Sequence, residues 1–170
     1  YGVEAYGLTA AALSRLRAAT AKAVAPGGAQ NCPIIAIRAT IGADGDPLAV
    51  ATRASVLWWA ETWHLNPQDR HTFRTVWRII HPTVVIPGDP EPNWSAVYGP
   101  IGTAIANLHR VGWYCPHPDW WVDSQGETWK FEDHRSQEGF SALSAALLTS
   151  VTAKLDRAAS THRFGEGIQH

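Results

Sequence analysis

The chain contains no methionine and only two cysteines, Cys32 and Cys115, among its 170 residues. Two thiols cannot build a disulfide framework, and usage this sparse points to a reducing, intracellular setting with both thiols free. Without methionine there is no initiator residue, and the chain reads as an internal piece of a longer protein. Charge is scarce as well: charged residues make up 17%, with 14 Lys/Arg against 15 Asp/Glu for a formal net charge of −1. That balance excludes a strongly basic nucleic-acid module but leaves room for a local basic face. A disordered tail is excluded too, because 45% of the residues are hydrophobic and can bury enough surface to offset chain entropy. No apolar run is long enough to span a membrane, and no basic-then-apolar leader is present.

Catalytic and cofactor signatures are also missing. There is no Gly-x-Ser-x-Gly elbow, no His-Glu-x-x-His pair and no Gly-Lys-Ser/Thr after Gly27-Gly28, so nucleophilic, zinc-protease and phosphate-loop chemistry have no seat. Cys115-x-His117, with His109 and His134 nearby in sequence, supplies one ligand pair. Structural zinc needs two such pairs, so no metal is expected. The carboxylates Asp119, Asp123, Glu127, Glu132 and Asp133 cluster on a short segment that reads as the solvated side of a hairpin. No catalytic residue and no cofactor follow from the pattern.

What is present is helical periodicity and an excess of tryptophan, nine in all. Residues 8–25 read as a helix capped by Thr9 and ended by Pro26-Gly27-Gly28, where Pro and Gly stop the ladder. Pro33 to Ile41 follows Asn31 and reads as a helix with Asn31 as cap, although its β-branched isoleucines suit a strand as well. Asp46-Pro47 opens a helix to about Leu65, apolar nearly all round, as at the centre of a bundle. Asn66-Pro67 opens another over 67–81. Four prolines make 82–94 a loop. A helix over 99–111, a β-hairpin over 120–131 and a long helix from Ser136 to about His162 complete the chain. The expected fold is mainly α: about six helices in an irregular bundle with one small hairpin, in a single domain spanning 1–170.

Two groups of residues could meet a partner. In the helix 67–81, Phe73, Val76, Trp77 and Ile80 form an apolar stripe, while Arg70, Arg74, Arg78 and His81 fall within about 80° of one another beside it. Three arginines in a row suit a phosphate backbone, since each fork can bond two oxygens, and they equally suit a solvated face. Residues 1–85 carry eight Lys/Arg against five Asp/Glu, net +3, while 86–170 carry six against ten, net −4. The first half is therefore the one suited to a polyanion. Of the tryptophans, Trp58, Trp59, Trp63 and Trp77 sit at core spacing. Trp94, Trp113, Trp120, Trp121 and Trp129 surround the loop and hairpin, where they either form a satellite core or stack on bases.

Tyr1-Gly2-Val3-Glu4-Ala5-Tyr6-Gly7 resembles the Tyr-Gly-x-Glu-x-Trp-Gly signature of non-LTR (LINE-type) retrotransposon reverse transcriptases, with Tyr6 where Trp is usual. Gly99-Pro100-Ile101-Gly102, Leu108 to Trp113 and the Trp-rich hairpin around Gly126 resemble the region after the thumb in such polyproteins. The resemblance implies a possible thumb-helix remnant over 1–28 and a post-polymerase segment over 31–170. The palm carboxylates are absent, so it implies a non-catalytic piece that packs on the rest of the polymerase chain and helps to hold RNA or an RNA–DNA duplex. The competing expectation is a helical protein-interaction or structural domain with no nucleic-acid role.

Overall fold

The computed structural model describes residues 7–26, 32–133 and 136–165. The Tyr1–Tyr6 part of the signature, the proposed cap Asn31, the Gly27-Gly28 stop and His134 lie outside the described residues. Six α-helices and one three-stranded antiparallel sheet are present among them: α1 Ala10–Val24, α2 Pro33–Ile41, α3 Pro47–Leu65, α4 Arg70–Val84, α5 Gly99–Arg110, β1 Tyr114–His117, β2 Trp120–Val122, β3 Thr128–Lys130 and α6 Gln137–Gly165. The chain is mainly helical with one small sheet, as its periodicity predicts.

The helix starts follow local chemistry. Thr9 accepts a hydrogen bond from the Ala12 N–H at the start of α1. Asp46 accepts from the Leu48 N–H at 2.8 Å, with Pro47 as the first residue of α3. Ser136 accepts from the Gly139 N–H at the start of α6. At α2 the N-cap position belongs to Cys32, whose side chain makes no capping bond, and Pro33 supplies the preset φ.

Two expectations need correction. Helix α4 does not stop before Pro82 but runs through it to Val84, and the Val85 N–H closes onto the His81 carbonyl at 2.9 Å. Pro82 lies in the last turn, where the lost N–H costs one hydrogen bond and the remaining carbonyls find other partners. The hairpin is also not alone. The Pro-rich segment after Trp113 forms β1, which pairs antiparallel with β2, and β2 pairs with β3 through Trp121 opposite Trp129. Pro116 is tolerated because β1 is an edge strand with an irregular register between Tyr114 and His117.

Helix α3 packs on α1, α5 and α6, and α5 packs on α3, α4 and β1. The most enclosed helix is α5 rather than α3: every residue from Gly102 to Leu108 is buried, whereas Val50 and Trp58 on α3 stand open to solvent. The small residues Gly102, Ala104 and Ala106 are all buried, and Asn107 donates to the Ser55 hydroxyl across the α3–α5 seam at 2.9 Å. At its end Gly112 takes φ +84, the left-handed turn that releases the chain into β1.

Seven of the tryptophans, drawn from both groups, share one core rather than a main core and a satellite: Trp59, Trp63, Trp77, Trp113 and Trp121, with Trp94 and Trp129 packed against them. Trp77 stacks on Trp121 at 6.4 Å, Trp63 meets Phe131 at 6.5 Å, and Trp113 stacks on Trp129 at 5.9 Å. Three of their polar edges are satisfied in place: Trp59 donates to the Pro118 carbonyl at 2.8 Å, Trp77 to the Cys115 carbonyl at 3.0 Å and Trp113 to the Ser150 hydroxyl at 2.8 Å; the Trp94 Nε1 is buried without a partner among the described residues. The sheet is thus clamped to the helices by indole hydrogen bonds as well as by area. Trp58, which is 39% exposed, and Trp120 do not join this core.

Candidate nucleic-acid interface

The outer side of α4 and the outer face of the sheet form one continuous surface. Helix α4 packs against β1, and the seam between them is a cleft of about 310 Å³ lined by His71, Arg74, Thr75, Arg78, Pro116, His117 and Pro118. Beyond His117 the surface becomes aromatic. The His117 and Trp120 rings lie 5.8 Å apart, and Tyr114 meets Trp120 edge-on at 6.2 Å. Tyr114 is 60% exposed, while Cys115 and Trp121 on the inner face are buried. Lys130 on β3 pairs in register with Trp120 on β2 and is exposed.

The arginines of the stripe have different surroundings. Arg70 is half-buried; its guanidinium sits 5.2 Å from the Trp63 ring centroid, and its Nε donates to the Trp63 carbonyl at 3.4 Å. Arg74 is exposed and lies at the same distance from Trp63, while its Nη2 reaches Asp119 at 3.2 Å. Arg78 is exposed and makes no ion pair among the described residues. His81 is half-buried; burial, followed by the charges of His109 and His117, lowers its pKa below the ordinary 6.5. The stripe therefore divides into two residues turned partly inward, Arg70 and His81, and two that line the open cleft, Arg74 and Arg78.

Sequence reasoning names Trp120 as a possible stacking residue and assigns His117 to a metal pair, but it does not bring Tyr114 or Lys130 to this surface. The missing signal is the β1 strand, whose alternation is hidden by Pro116 and Pro118. The irregular register in β1 also separates Cys115 from His117: the thiol is buried, where desolvation pushes its pKa well up, and the imidazole is outside. Among the described residues no group of three His, Cys, Asp or Glu could hold a metal ion. Cys32 and Cys115 are both free thiols, and no helix among the described residues is long and apolar enough to cross a membrane. No protein-family model matches the chain, and neither a curated protein nor a solved structure does.

Proposed function

We propose that this chain is a non-catalytic nucleic-acid-holding segment, and that the surface from α4 across β1 to Trp120 is its RNA-binding face. The observation that carries the reading is the juxtaposition of Arg74, Arg78 and His71 in the cleft with the exposed Tyr114 ring and the half-buried Trp120 ring beside it. Sequence-tolerant binding of single strands needs this pair of elements: cations that track the backbone and aromatic faces on which bases stack. The resemblance to the post-thumb region of non-LTR reverse transcriptases supplies the class of nucleic acid, RNA or an RNA–DNA duplex, with the polymerase chain as the second partner. Arg contacts of this kind position a backbone without reading sequence.

A structural domain without nucleic acid is the second reading. The Arg74–Asp119 ion pair and the packing of Arg70 on Trp63 favour it, because both bonds hold the molecule together without a partner. Anisotropy titrations of labelled single-stranded RNA and of an RNA–DNA duplex across a salt series separate the two. The double variant Arg74→Gln/Arg78→Gln should bind more weakly, and the slope of log K against log salt should fall by about 1.4, the value for two single-strand phosphate contacts. Trp120→Ala should lose about 1–3 kcal/mol of single-strand binding at every salt concentration. Equal affinity of parent and variants throughout the series assigns the surface to structure alone.

A further inference from the structure

On another side of the molecule lies a charged centre that the RNA face does not use. Arg110, at the end of α5, has a side chain only 1% exposed. Its guanidinium stacks on Trp94 at 4.1 Å from the ring centroid, its Nε donates to Glu91 at 3.2 Å, and its Nη1 donates to the Leu8 carbonyl at 2.6 Å. Gly7 sits at φ +65 where any Cβ would meet the Trp94 ring at 2.7 Å, so the chain can pass close enough over this ring to present that carbonyl. Lys154 on α6 donates to the other oxygen of Glu91 and to the Arg110 carbonyl, both at 2.7 Å. Arg110 Nη2 has no hydrogen-bond partner and is buried. Burial lowers the pKa of this guanidinium, against the raising effect of Glu91, and the charge of nearby Arg17 lowers it further. An arginine nonetheless remains protonated, so a buried, charged donor is left unsatisfied, which is a costly arrangement.

Arg110, Lys154, Glu91 and Arg17 all line one cavity of about 280 Å³, whose remaining wall is mostly apolar and includes Leu13, Ile34, Leu48 and Leu155. Cys32 also lines it. Two anions answer three cations here: Glu91 serves Arg110 and Lys154, and Asp46 holds Arg17 at 2.9 Å. One positive charge is left over, beside an orphan donor and an apolar wall. The volume holds about nine water-sized groups.

We propose that this cavity binds a small organic monoanion, a carboxylate on an apolar tail of about seven carbons, with its head on Lys154 beside the buried Arg110 guanidinium and its tail against Leu13, Ile34 and Leu155. A carboxylate fits better than a phosphate because one negative charge balances the cavity and a second has no counterion. The head group accepts the third proton of the Lys154 ammonium, which is 27% exposed and spends its other two on Glu91 and the Arg110 carbonyl, a charge-assisted bond that a neutral ligand of the same shape cannot match. The site shares no lining residue with the α4 cleft, so it stands independently of the RNA reading.

Cys32 provides the readout, because it is half-buried on the cavity wall while Cys115 is buried elsewhere. The experiment follows alkylation of Cys32 by iodoacetamide, read by peptide mass, in the presence of octanoate, 1-octanol or acetate. Octanoate should slow alkylation saturably, by about tenfold once its concentration is roughly ten times its Kd, whereas octanol and acetate at equal concentration should not. Lys154→Gln should raise the half-maximal octanoate concentration about tenfold, the effect of one charge-assisted hydrogen bond. Glu91→Gln removes the competing carboxylate and should lower it. Circular dichroism and the native resistance of Cys115 check that each variant is folded. An alkylation rate indifferent to octanoate, or slowed equally by octanol, overturns the proposal, as does a Glu91→Gln protein that responds like the parent.

Discussion

Arg74 and Arg110 are the same residue in opposite settings. Arg74 has a side chain 55% exposed and meets Asp119 across the edge of the sheet; Arg110 is 1% exposed and meets Glu91, Leu8 and Trp94 at the centre of a packed corner. An exposed pair gains little because water screens it and both side chains lose freedom. A buried guanidinium has given up its hydration, so every bond it makes replaces one it lost. The exposed arginine is consequently free to exchange Asp119 for a phosphate, whereas the buried one is committed to the fold and has a single donor left over. The proposed RNA face rests on the first region, and the proposed small-anion seat on the second.

The sharpest way to break this comparison is to remove both arginines in turn. Arg110→Ala should cost about 3 kcal/mol, the lower end for breaking a buried pair, because Glu91 is partly exposed and keeps Lys154. Urea unfolding followed by tryptophan fluorescence measures it. A loss below that of Arg74→Gln would erase the difference between the buried and the exposed arginine. Next in size is Asp46→Ala at the other wall of the same corner. Asp46 is fully buried, caps α3 and takes a two-pronged contact from Arg17. Loss of the cap and of that partner should cost about 2–3 kcal/mol, again read from the urea midpoint.

A third effect appears with acid. Burial by itself would raise the Glu91 carboxyl, but the hydrogen bond and charge of Lys154, with those of Arg110, hold it below its ordinary 4.5. A folded pKa below the unfolded value gives stability that is complete above about pH 4.5 and is lost as pH falls through the folded value. His81 acts in the same direction at higher pH: burial and the neighbouring histidines disfavour its charged form. Stability should therefore decline in two stages on acidification, the first below the ordinary 6.5 of His81 and the second below the ordinary 4.5 of Glu91. Urea midpoints from pH 8 to pH 3 test the order, and Glu91→Gln should flatten the lower stage. The smallest effect belongs to Arg74→Gln, which should change stability by no more than about 0.5 kcal/mol. A larger loss would show that the cleft arginine is structural.

Most of the helices were legible because their signals are local. Thr9, Asp46-Pro47 and Ser136 mark starts that the structure places at the same residues. The sequence spaces Phe140, Leu143, Leu147, Val151 and Leu155 along one face of α6; the last four are buried, and Phe140 packs half-buried against the core. The candidate surface was only half legible. The arginine stripe follows from a period of 3.6 residues, but the aromatic half depends on β1, and two prolines conceal a strand whose existence rests on pairing with β2. Nothing local announces the Arg110 centre, because its partners Leu8, Glu91, Trp94 and Lys154 come from distant parts of the chain.

By itself the amino-acid sequence determined the mainly helical class, the places where most helices begin, and the basic stripe on α4, all of which depend on neighbours within a few residues. Tertiary structure decided which arginine is turned inward, that tryptophans of both groups share one core, that α5 rather than α3 is the enclosed helix, and where a buried guanidinium with one unpartnered nitrogen borders a cavity. The reason is physical: hydrogen-bonded turns and amphipathic periods are properties of short segments, whereas desolvation and partner choice are properties of whatever else the fold brings within a few ångströms.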